Sequence, residues 1–147
     1  MGTLADTLLT DTHRPNVIQS CVRLIDDEVG DKGGLSGLAI KTVYRTVKAF
    51  KRGIVPDVVN VLLNDFVGSL EPFYDEYQGS GNSDFAAYAV EHSNRVADVL
   101  LSITDRRAEK SRLKPLVKAY NKLRPQGKKQ VVAAMPRIGK MLVGHGL

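Results

Sequence analysis

Tryptophan is absent from this 147-residue chain, cysteine occurs once, and no apolar run approaches the roughly 20 residues that a membrane span needs. The single thiol, Cys21, excludes an internal disulfide and agrees with a reducing compartment. From Met1 to Asp11 the chain mixes Asp6 and Asp11 with Leu4, Leu8 and Leu9, and no cationic leader precedes an apolar stretch. No secretion signal is expected, and the cytoplasm is the default location. Chemical motifs are missing too. His13, His92 and His145 are far apart and belong to no ligand motif, and Asp26, Asp27, Glu28 and Asp31 lack the alternate spacing of a calcium loop. No Ser/His/Asp or Cys/His pairing emerges from spacing. The expectation is a protein with no metal, no cofactor and no enzymatic activity.

What is present is charge, unevenly placed. From Leu101 to Leu147 twelve Lys/Arg face two acids, Asp105 and Glu109, whereas the first hundred residues carry nine Lys/Arg and fourteen Asp/Glu. The net charge of +5 therefore hides an acidic part at −5 and a basic part at +10. A segment of that sign on a packed domain attracts phosphate or carboxylate partners.

Length and a 43% hydrophobic content suit one domain, residues 1–147, with a real core. Periodicity reads helical throughout. A short turn over Thr3 to Leu9 comes first. Pro15 then opens a helix carrying Val17, Ile18, Cys21, Val22, Ile25 and Val29, stopped at Gly30. Ser36 is expected to cap a helix with the stripe Ile40, Val43, Tyr44, Val47 and Phe50, ending at Gly53. Pro56 starts the next, through Val59, Leu62, Leu63, Phe66 and Leu70, and Pro72 is expected to break it before a short aromatic helix, Phe73 to Tyr77. Ser83 or Asp84 caps what should be the longest helix, running to about Lys110 with Val99 in mid-stripe, so Val99→Asp should be severely destabilising. Pro115 restarts the chain into Leu116, Val117, Tyr120 and Leu123. A last helix with Pro136 as its kink carries Val131, Val132, Met135, Ile138 and Leu142. The expected fold is all-α, an antiparallel bundle of about six to seven helices joined by short Gly/Pro loops.

Four blocks, Arg14-Pro15, Lys32 to Tyr44, Ile103 to Glu109 and Met135 to Gly139, give the chain a likeness beyond pattern. Along most of its length it resembles a family of small uncharacterised bacterial proteins catalogued only as a domain of unknown function. The resemblance implies a bacterial, cytoplasmic, helical protein and brings no catalytic or binding residues with it.

Two basic ridges are the main candidate features. Lys41, Arg45, Lys48 and Arg52 sit at i, i+4, i+7 and i+11, which at 100° per residue places all four within about 60° of arc. Lys114, Lys118 and Lys122 repeat every fourth residue, and Lys129, Arg137 and Lys140 share a side of the last helix. Few acids are interspersed to make i, i+4 pairs. These ten residues are the candidate partner-binding set, with RNA or DNA backbone as first partner and an acidic protein as second. The competing reading is that N-terminal acids such as Asp26, Asp27 and Glu28 neutralise the ridges internally, or between copies in a self-associating protein.

No stacking platform is expected, because Tyr44 and Tyr120 look like core and Phe73, Tyr74 and Tyr77 lie among acids. No helix-turn-helix reads bases either. Residues Gly33 to Gly37 before Lys41 do not make a Walker A loop and are expected to be a glycine-dependent connection. Attachment to anionic lipid is a further alternative, weakened by the missing tryptophan and by an expected lack of large apolar residues on the polar faces.

Overall fold

The computed structural model describes residues 3–147; Met1 and Gly2, part of the expected domain, lie outside the described residues. It is an all-α bundle: α1 (Thr3–Leu8), α2 (Arg14–Asp31), α3 (Gly34–Phe50), α4 (Ile54–Gly79), α5 (Phe85–Glu91), α6 (Ser93–Lys110), α7 (Lys114–Leu123), a 3-10 turn (Arg124–Gln126) and α8 (Gly127–Gly144). The core is one cluster drawn from six of these helices, with Leu4 and Leu8 of α1, Val17 of α2 and Met135 of α8 almost wholly removed from solvent.

Two expected boundaries are overturned. Pro72 does not break α4, which continues to Gly79 and is the longest helix. Leu63, Val67, Leu70 and Tyr74 are buried at i, i+4, i+7 and i+11, so one apolar stripe runs straight past the proline. Pro72 and Gly68 both lie on the exposed side, where the carbonyl that loses its donor is open to solvent. The expected Phe73 to Tyr77 helix is the last turns of α4.

The helix expected to be longest is instead divided at His92, whose backbone leaves the helical region at φ −103°, ψ 23°. Packing explains the break. A Cβ at Gly139 of α8 would come 2.8 Å from the Ala86 Cα, so α5 crosses α8 at a distance only glycine permits. To pack Val96 and Leu101 the chain must turn before α6. Val99 is half-buried at the edge of the core, whereas Val96 and Ala97 are enclosed. Asp84 caps α5 as expected, its carboxylate accepting from the N–H groups of Ala86 and Ala87.

Ser36 is not a cap. α3 begins three residues earlier, with Gly33 as N-cap and Gly34 at φ +70°, and a Cβ at Gly37 would stand 2.6 Å from the Lys32 carbonyl carbon. The glycine-rich stretch is thus the tight connection that the sequence indicated. α3 and α7 form an outer layer and pack on each other. α3 buries only Gly37 and Ile40, and α7 buries none of its residues. No single helix among the described residues is long and apolar enough to cross a membrane.

Candidate anion-binding surface

Four of the twelve C-terminal cations are spent on pairs inside the fold. Arg107 meets Asp65 at 2.8 Å, Lys128 meets Asp98 at 3.1 Å, and Arg124 grips Asp105 through Nε at 2.8 Å and Nη2 at 3.0 Å. Arg137, expected to face a partner, instead donates to Glu28 at 3.2 Å and to Asp31. That contact holds the Asp31 carboxyl below the usual range, the Arg137 hydrogen bond being the first cause. It also accounts for carboxylates at the C-terminal end of α2, where the helix dipole alone would disfavour them. Internal neutralisation is therefore real at Arg137.

The α3 ridge is partly drawn inward as well. Lys48 lies 3.9 Å from Asp26 and over the Tyr44 ring, 5.2 Å from its centroid, and Lys41 is within electrostatic reach of Asp31. Tyr44 donates to Asp26 at 2.5 Å, and burial followed by that bond pushes its hydroxyl pKa up. Arg45 and Arg52 make no ion pair among the described residues. The four cations thus share an arc but not a role.

The α7 ridge is different. Lys114, Lys118 and Lys122 are exposed and without ion pairs, and with Ser111, Val117 and Asn121 they line a shallow groove of about 550 Å³. The opposite side of α7 is fixed to α6 by a polar cluster in which Tyr120 donates to Asp105 at 2.5 Å and lies 2.6 Å from the Thr104 hydroxyl. Arg124, then Tyr120, lower the Asp105 pKa. Asp105, one of only two acids in the basic third, is therefore taken up behind α7 and leaves the lysine face unopposed. Lys129 and Lys140 on α8 are also exposed and unpaired among the described residues.

Sequence spacing located the α7 lysines but not Ser111 and Asn121 beside them, nor the clasp between Arg137 and residues more than a hundred positions away. Of the expected set, the fold brings Lys114, Lys118 and Lys122 to one groove and does not bring Arg137 there. Among the described residues no three His, Cys, Asp or Glu side chains gather as metal ligands. His13 pairs with Thr10, His145 with Ser20, and the His92 ring lies 4.3 Å from that of Tyr88 at an interplanar angle of 47°. Tyr77, Phe85 and Tyr88 pack edge to face between α4 and α5, away from the lysines.

A family model described as "Family of unknown function (DUF6918)" matches residues 4–146. No curated protein and no solved structure matches the chain.

Proposed function

We infer that the protein, which belongs to the DUF6918 family of unknown function, is a bacterial cytoplasmic binding protein without catalytic chemistry whose α7 face holds the phosphate backbone of RNA or DNA. The supporting observation is the groove in which Lys114, Lys118 and Lys122 stand unpaired beside Ser111 and Asn121. Three ammonium groups spaced about 6 Å apart along a helix match a run of phosphates, and hydroxyl and amide groups between them suit phosphate and sugar oxygens. Bases are not read: Tyr120 is turned into the Asp105 cluster and Tyr44 is held by Asp26, so neither ring offers a stacking surface.

Within one chain Arg137 meets Glu28 and Asp31, and Lys48 meets Asp26, so these acids have partners without a second copy. A salt titration tests the backbone reading. Three phosphate contacts give a log–log slope of affinity against salt of about −2 to −3, with little dependence on nucleotide sequence. A flat slope, or no binding to RNA or DNA at low salt, would refute it.

A further inference from the structure

We propose that the outer face of α3 is a contact surface for an anionic lipid bilayer, independent of the α7 groove. Leu35 is 88% exposed and Leu38 is 61% exposed at the start of the helix, and Phe50 is 45% exposed at its end. Burying such side chains is favourable, so Leu35 and Leu38, about 60° apart, give this face an exposed apolar pair, whereas Phe50 lies about 120° round the helix from Leu38. At 100° per residue Leu38, Thr42, Arg45 and Ala49 lie within about 60° of arc, with Leu35 and Thr46 on the same flank.

The polar residues of this face make small demands on water. Thr42 donates to the Leu38 carbonyl at 2.9 Å and Thr46 to the Thr42 carbonyl at 3.0 Å, so both hydroxyls are satisfied within the helix. Arg45 has a long stem that can lie along apolar surface with its charged head at the lipid phosphates. No acid occurs from Lys32 to Pro56; Lys48 and Lys51 pair with Asp26 and Asp57 at 3.9 and 3.3 Å, which leaves Arg45 and Arg52 without ion pairs among the described residues to meet lipid phosphates.

A nucleic-acid backbone has no use for exposed leucines, whereas a bilayer interface takes apolar side chains and cations together. The geometry suits lying on a membrane and not crossing it: α3 is about 25 Å long and turns by 97° into α4, most of whose apolar face is buried in the bundle. The premise that large apolar residues are missing from the polar faces does not hold for this helix.

The test uses the full chain and vesicles of mixed phosphatidylglycerol and phosphatidylcholine against pure phosphatidylcholine. Because the protein has no tryptophan, Leu38→Trp supplies a unique reporter. Its emission should shift to the blue with anionic vesicles only. Leu35→Asp with Leu38→Asp should weaken co-sedimentation by about tenfold or more while leaving the melting temperature and nucleic-acid affinity unchanged, because both positions are exposed and off the α7 groove. The proposal is overturned if the parent does not sediment with anionic vesicles, or if the double variant sediments equally well. It is also overturned if the introduced tryptophan stays in water on bound protein, meaning charge alone. A lipid-free dimer that the double variant dissolves, with no vesicle binding, would assign the face to a second copy.

Discussion

Asp105 shows how one carboxylate decides the character of a surface. Its bonds to Arg124 and Tyr120 hold its pKa below the ordinary 3.8. A depressed folded value means that its stabilisation is fully present above the unfolded pKa and is lost as pH falls through the folded one. Attachment of α7 should therefore weaken in acid, and amide exchange in residues 114–123 should accelerate there before that in α4. Asp105→Asn should reproduce the effect at neutral pH, costing about 1 kcal/mol, since the pair is over a third exposed and solvent screens it. Equal exchange rates in parent and variant would contradict this role.

Cys21 behaves in the opposite sense. Burial pushes its thiol from 9.0 up to about 11, and its sulfur lies 3.9 Å from the Met141 sulfur. The folded state keeps a proton that the unfolded state releases, so stability should fall as pH rises from 9 toward 11. At pH near neutral a thiol reagent should label native protein far more slowly than unfolded protein. Equal labelling rates would show that the sulfur is accessible.

At the scale of elements, the helical period in the sequence was enough to find every long helical stretch, because apolar residues three and four apart fall on one face whatever the partner. Their ends were legible only where local chemistry sets them, as with the Asp84 cap and Pro15 in the first turn of α2. Pro72 and His92 were misread for one reason: both depend on what lies across the helix. The proline is tolerated because it faces solvent, and the break at His92 follows from the close approach of Gly139 to Ala86, which no single-helix pattern reveals. Gly139→Ala should consequently lower stability by about 1–3 kcal/mol, read as a drop in melting temperature, because the blocking atom is backbone. A neutral result would mean that α5 and α8 can separate freely.

The same limit applied to the candidate site. The α7 lysines were visible because one helix carries them, whereas the fates of Arg137 and Lys48 rest on acids of α2 brought near by tertiary packing.

Over the whole molecule, internal pairing accounts for only part of the basic third. Arg107, Arg124, Lys128 and Arg137 are paired, while Arg106, Lys110, Arg112, Lys114, Lys118, Lys122, Lys129 and Lys140 have no ion pair among the described residues. After Asp105 is used, Glu109 is the one acid of that segment left near them. Eight of the twelve cations therefore keep no ion pair among the described residues, and under the α7 reading a net positive charge of this kind makes encounter with a polyanion salt-sensitive.

Binding to an RNA or DNA duplex over a salt series, measured together with thermal melting, on the parent and on Lys118→Glu with Lys122→Glu, tests this most directly. The α7 reading predicts a slope shallower by about two units, one for each phosphate that a lysine no longer neutralises, with melting unchanged because neither lysine has an internal ion pair. Unchanged affinity with a lowered melting temperature would contradict it, and would make those lysines part of the fold's internal electrostatics.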